Sequence, residues 1–292
     1  MEITISNGNL VCGLTTDGGS LTSIQLNGTE YLWQPNPDVW TGQAPICFPV
    51  CGGLRDGKAT TASGKTVELA RHGFARKSAF ELVGNTDDRA TFRLASSDAT
   101  RAMYPFDFEL LASYVLEQDK LRISYTVTNK GTEDMPFFIG GHPGFRCPIE
   151  EGETYSDYLI RFEKSETETI CRAVPSTGLI DVEDREDSPT AGTDELPLTH
   201  ELFDFAEKIY DVLESRTATL TNRAGTHGVR LEFADFPYLI VWSKPTGDFV
   251  AIEPWGGLST CSDEDDVLEH KRGVIVAKPG EAVTRSFTIA PF

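Results

Sequence analysis

Apolar and polar residues alternate with a period of two along much of this chain. The pattern runs through Ala90 to Ala95, Phe108 to Leu116, Leu121 to Thr128, Val229 to Phe233, Tyr238 to Trp242, Gly273 to Ala277 and Arg285 to Ile289. That period, with their Val, Ile, Phe, Tyr and Thr content, predicts strands buried on one face. Asn129-Lys130-Gly131, Gly84 to Asp88 and Lys278-Pro279-Gly280 carry turn chemistry between such runs. Helical spacing shows best at Leu202 to Leu213, after the polar Thr199-His200-Glu201, and predicts one short helix there. Strand following strand without intervening helices predicts an all-β fold, a large antiparallel β-sandwich with at most one or two short helices. The charge-rich stretch Asp181 to Glu195 reads as an exposed loop. No repeat at a fixed period divides the chain, so one domain over 1–292 is expected.

Composition narrows the partners. The 292 residues are 39% hydrophobic and 24% charged, enough apolar material for a large core, and the net charge is −19. Such a surface repels phosphate backbones and anionic lipid, so neither nucleic acid nor membrane is an expected partner. The N-terminus lacks a basic run leading into an apolar stretch, and nowhere do about 18 uninterrupted apolar residues occur. The expected location is cytoplasmic, with the six cysteines reduced. Cys47 and Cys51 lie four apart without a matching Cys/His pair, so no metal site is expected. Nothing in the pattern sets an oligomeric state.

Three segments depart from generic strand: Arg71-His72-Gly73-Phe74-Ala75-Arg76, Gly140-Gly141-His142-Pro143-Gly144-Phe145 and Ile252-Glu253-Pro254-Trp255-Gly256-Gly257. Each puts a proton-transferring side chain beside Gly or Pro, where the backbone can approach a ligand closely and hold its direction. Singly, each is most simply a satisfied structural residue at a strand end. Together, two histidines and a carboxylate are the groups that general acid and base catalysis needs near neutral pH. The other three histidines, His200, His227 and His270, have polar neighbours and read as surface residues.

These segments, with Glu30-Tyr31-Leu32-Trp33-Gln34 and Ala44-Pro45-Ile46-Cys47-Phe48-Pro49, resemble over nearly the whole chain the aldose 1-epimerase (galactose mutarotase) family. The likeness is to its LacX-like and glucose-6-phosphate 1-epimerase-like branch. The resemblance implies a two-sheet supersandwich with a sugar in an open cleft on a concave sheet face. It implies an isomerase that interconverts the α and β anomers of a hexose without a cofactor, with Glu253 as general base, His142 as general acid and His72 as a second histidine near the ring oxygen. Glu253 is expected as a ready carboxylate, and His142 as an imidazolium raised by a nearby carboxylate. Trp33, Trp40, Phe74 and Trp255 are candidates for the sugar platform. Arg76 is retained as a substrate-binding residue. Gly53 stands where relatives of this branch often carry an Arg; Arg55, on the same face if the strand alternation holds, is the candidate substitute. Asp204 is the nearest candidate for a sugar-binding acid.

The expected partner is a small-molecule sugar or sugar phosphate, since Arg76 with Lys77 or Arg55 would suit a phosphate and a single Arg also serves neutral hydroxyls. Two other readings use the same residues. A noncatalytic carbohydrate-binding or sensing module would need no acid or base. A glycoside-processing enzyme would need two carboxylates about 5 to 10 Å apart, and the sequence offers one convincing candidate, Glu253.

Overall fold

The computed structural model describes all 292 residues. Two large antiparallel sheets dominate it. In one, nine strands run in the order 195–197, 158–162, 217–222, 228–232, 282–291, 120–129, 108–117, 89–95 and 81–86. In the other, 180–187, 169–173, 208–210, 238–242, 249–255, 140–141 and 46–47 lie side by side, and 144–146 also pairs with 249–255. Glu2–Ser6, Leu10–Thr15, Leu21–Leu26 and Thr29–Glu30 form a smaller four-stranded sheet.

The alternation along the sequence is the burial pattern of the long strands. Phe108–Glu117 and Lys120–Asn129 bury every second residue and pair along their full length, Phe108 opposite Asn129 and Glu117 opposite Lys120. A one-residue slip would turn both apolar sets to solvent. Side chains from both large sheets join a single core of 74 buried residues. Phe249–Trp255 is buried at every position, as expected of a strand covered on both faces.

Three local expectations fail. Leu202 to Leu213 is not a helix: a short 3-10 turn at His200–Phe203 gives way to the strand Lys208–Tyr210, which pairs with Tyr238–Trp242. Ladder partners there outweigh a weak helical spacing. Asp181 to Glu195 is only partly loop, because Ile180–Asp187 is an edge strand whose Arg172–Asp184 and Lys208–Glu186 pairs account for part of its charge. The turn expected at Gly84 to Asp88 is confined to Asp87-Asp88, and Gly84 marks a register shift inside the strand. The one α-helix, Asp98–Met103, starts from a capping box made by Ser97 and Thr100.

Candidate active site

Glu253 lies near the end of Phe249–Trp255, opposite Ile240. His142 sits between two short strands, Gly140–Gly141 and Gly144–Arg146, both paired with that same strand, so the chain passes close to Glu253. The passage needs glycine: a Cβ at Gly141 would stand 2.7 Å from the Phe287 ring. His72 is held in the left-handed region at φ 65, a conformation that costs a non-glycine residue about 1 to 2 kcal/mol. Two backbone hydrogen bonds keep it there: its N–H donates to Gly52 at 2.7 Å and its carbonyl accepts from Phe48 at 3.2 Å. Gly73 follows at φ 69, and a Cβ there would meet the Phe48 carbonyl oxygen at 2.2 Å.

The three side chains meet in an open cleft of about 480 Å³. His142 Nε2 is 3.2 Å from Glu253 Oε2, off the line of a hydrogen bond. The His72 and His142 rings stand edge to face with centroids 5.3 Å apart. Trp40 stacks on His142 at 5.3 Å, Trp242 meets it edge-on at 5.8 Å, and Trp255 meets His72 at 5.2 Å. Arg71, Arg76, Glu207 and the loop from Pro175 to Gly178 complete the walls. Arg71 donates to Glu207 at 2.8 Å and to the Gly178 carbonyl at 3.1 Å. Arg76 donates to the Arg71 carbonyl at 3.0 Å.

Seven buried side-chain polar atoms have no hydrogen-bond partner within the protein, and four of them belong to this cleft: Arg76 Nε, His142 Nδ1, Glu253 Oε2 and Trp255 Nε1. Each such atom costs about 1 to 3 kcal/mol if left unpaired. Their convergence marks a place prepared for a ligand rich in donors and acceptors.

Burial governs the electrostatics. It pushes Glu253 well above the usual carboxylate range, with Cys47 and Glu207 acting the same way and Arg71 opposing. It pulls His142 down to about 3, reinforced by the Arg71 and Arg76 charges. His72 is also held well below its ordinary value, by burial first and then by His142, Arg71 and Arg76. The Gly52 N–H, donating to its Nδ1 at 3.2 Å, and Arg71 Nε, 3.3 Å from its Nε2, oppose a second proton on that ring. Burial thus works against the carboxylate beside an imidazolium that the resemblance implied. Desolvation penalises both charged forms, so burial favours a protonated Glu253 beside a neutral His142.

A model of the aldose 1-epimerase family matches residues 1–289. The chain belongs to that family. Protein LacX (plasmid) of Lactococcus lactis subsp. lactis is 40% identical to this chain over 297 residues, with 99% of both chains covered. A galactose mutarotase related enzyme from Lactobacillus acidophilus superposes with a TM-score of 0.92 at 32% identity, over 100% of this chain and 97% of that one. A galactose mutarotase-like protein from Lactobacillus casei does so at 0.91 and 29%, covering 100% of each. No helix of this protein is long and apolar enough to cross a membrane.

Of the site residues expected from the sequence, His72, Arg76, His142, Glu253 and Trp255 are brought together in this cleft. Arg55 is not. It lies in the 3-10 turn Arg55–Gly57, where strand alternation does not apply, and it points to the Cys261 carbonyl at 3.0 Å and to Asp266 at 3.4 Å. Asp204 is exposed at the end of the 3-10 turn, and the acid that enters the cleft is Glu207, just before the strand Lys208–Tyr210. Reading that strand in place of a helix would have exposed the substitution. Glu207 also supplies the second carboxylate that the sequence lacked, yet it is tied to Arg71.

Trp40 and Trp255 line the cleft, whereas Phe74 packs in the core between Phe48 and Phe108. Trp33 supports Trp40 from behind, its Nε1 donating to the Trp40 carbonyl at 2.9 Å. Trp242 and Arg71 are cleft residues not named among the expected site residues, although Trp242 closes a predicted strand and Arg71 opens the segment that carries His72. Among the remaining histidines only His270 is exposed. His227 is half-buried against Glu153 and Tyr158, and His200 stacks on Tyr155.

Glu207→Gln weakens the grip on Arg71, and through it the cleft wall, without altering His142 or Glu253. Steady-state kinetics should show KM raised on the order of tenfold, with a much smaller loss in kcat. A kcat loss matching that of Glu253→Gln would make Glu207 an acid or base itself.

Proposed function

We propose that this protein is an aldose 1-epimerase acting on a hexose, with Glu253 as base and His142 as acid. What carries the reading is the four unpaired polar atoms around the His142–Glu253 contact, a donor and acceptor set suited to a polyol. A cyclic aldose is a hemiacetal. Its ring opens when the C1 hydroxyl gives up its proton and the ring oxygen gains one: the C1–O5 bond breaks as the C1 carbonyl forms. Rotation about C1–C2 and the reverse transfers close the ring on its other face.

Opening requires Glu253 as carboxylate and His142 as imidazolium. Burial favours the tautomer with the same proton on Glu253, so transfer across the 3.2 Å contact, once the two groups align, produces the working pair without drawing a proton from solvent. Once formed, the two charges attract strongly in a site that excludes water. After ring opening the groups stand again as neutral acid and neutral imidazole, ready to close either face. Positioned acid and base groups contribute about a hundred- to ten-thousand-fold each. Trp40, Trp242 and Trp255 offer apolar faces to the C–H side of the sugar.

Because one proton serves the pair over a wide range, kcat/KM is expected to be level above the His142 value of about 3 and to fall only as pH rises through the raised Glu253 value. A limb centred near 6.5, the value of an ordinary His, contradicts the shared proton.

A second reading, a hexose 6-phosphate as substrate, is favoured by Arg76, whose Nε has no partner and whose guanidinium meets no carboxylate. Comparing the α-anomer of glucose 6-phosphate with α-D-glucose separates the two. A noncatalytic sugar-binding module would bind either sugar and accelerate neither.

A further inference from the structure

We infer that Cys47 is a positioning residue: its thiol, together with the Gly52 N–H, fixes the His72 ring as the tautomer that carries its proton on Nε2 and donates it into the cleft. The effect on turnover rests on the epimerase reading; the tautomer does not.

Cys47 closes the short strand Ile46–Cys47 and lies opposite Gly140, two residues before His142. Both Cys47 and His72 are buried, and Cys47 Sγ is 3.4 Å from His72 Nδ1. The Gly52 N–H donates to the same nitrogen at 3.2 Å. The main chain repeats this grip, since the Phe48 N–H donates to the His72 carbonyl and the His72 N–H donates to the Gly52 carbonyl. Cys47-Phe48 and Gly52 thus hold His72 by its backbone and by its ring.

A neutral imidazole offers one donor and one acceptor, yet three donors surround this ring: Cys47, Gly52 and Arg71. Burial keeps the ring neutral and keeps Cys47 a thiol. The single thiol hydrogen finds a better acceptor in a ring nitrogen than in the sulfur of Cys51, its other polar neighbour. Cys47 and Gly52 therefore act on Nδ1 against Arg71 Nε, which stands 3.3 Å from Nε2, beyond the best range, and is turned by its bonds to Glu207 and Gly178. A backbone amide cannot turn away, and the thiol adds to it, so Nδ1 is the acceptor and Nε2 holds the proton. The Nε2–H and the Arg71 Nε–H then converge in the cleft that both side chains line, where an oxygen atom of a ligand accepts from both. Held this way, His72 donates a hydrogen bond and does not act as a base.

NMR of protein carrying isotope-labelled histidine reads the tautomer in wild type, with His72 assigned by its absence from His72→Asn. Nδ1 should resonate as an unprotonated nitrogen and Nε2 as a protonated one; the reverse order overturns the inference. In Cys47→Ala the two signals should move toward each other as the Nδ1–H tautomer gains population, and kcat/KM should fall about three- to tenfold. Cys47→Ser keeps a donor, and should restore the spectrum and bring kcat/KM back to within about twofold of wild type. Cys47→Val fills the space without a donor and should stay as low as Cys47→Ala. Restoration by Val as complete as by Ser, a wild-type spectrum in Cys47→Ala, or a shifted spectrum with unchanged kcat/KM overturns the positioning role. If wild type turns over no sugar, the epimerase reading fails, and the spectra decide the tautomer on their own: a shift in Cys47→Ala that Cys47→Ser reverses supports the role of the thiol, and no shift rejects it.

Discussion

Glu253→Gln should lower kcat for anomer interconversion about a hundred- to ten-thousand-fold while leaving sugar binding nearly intact. Burial favours the protonated form of Glu253, and glutamine reproduces that form in size and neutrality. The cleft should therefore keep its shape, and only the ability to accept the C1 hydroxyl proton is lost. Stability should move the other way. In the unfolded chain Glu253 ionises near its ordinary value of about 4.3, whereas the folded protein holds the proton to much higher pH. The folded state thus binds more protons than the unfolded one above about pH 4.3, and the wild type loses stability as pH rises through that range. Glutamine has nothing to ionise, so the variant should melt a few degrees higher at pH 7, with the gap closing toward pH 4. Such a stability cost is common where a catalytic group is buried for its chemistry. Thermal melts at several pH values check the sign: a variant less stable than wild type at pH 7 would mean that Glu253 is ionised and paired in the folded state.

His142→Asn should cost a similar factor in kcat. It removes the group that takes the proton from Glu253 across 3.2 Å and delivers it to the ring oxygen. Because the two side chains act as one proton-transfer unit, the double variant Glu253→Gln with His142→Asn should be little worse than the poorer single variant. Multiplying losses would mean that they act independently. A negligible effect of His142→Asn would pass the acid's role to His72, whose ring centroid is 5.3 Å away.

The fold was legible where a single rule decides the outcome. One-face burial writes its period of two directly into strands such as Phe108–Glu117 and Lys120–Asn129. It was misread at Leu202 to Leu213, where three strand residues gain their ladder from Tyr238–Trp242 on one side and Thr169–Ala173 on the other, partners distant in sequence that local spacing does not reveal. The same error hid Glu207 and promoted Asp204. Arg55 failed for a related reason, since a left-handed Asp56 breaks the strand on which its facing was judged. The two cleft histidines and Glu253 were visible because each carries its glycine or proline neighbours with it, and Gly141 and Gly73 have no room for any other side chain. Their protonation was not visible. Glu and His residues carry ordinary values in a sequence, and the burial that reverses both exists only once the sheets close over Phe249–Trp255.

The most direct test is the approach of freshly dissolved α-D-glucose, α-D-galactose and the α-anomer of glucose 6-phosphate to anomeric equilibrium, followed by polarimetry or proton NMR with wild type and with Glu253→Gln. The account predicts that wild type accelerates at least one of them well beyond the spontaneous rate and that the acceleration vanishes in the variant. Equal acceleration by both proteins, or none by wild type with any of the three sugars, would contradict it.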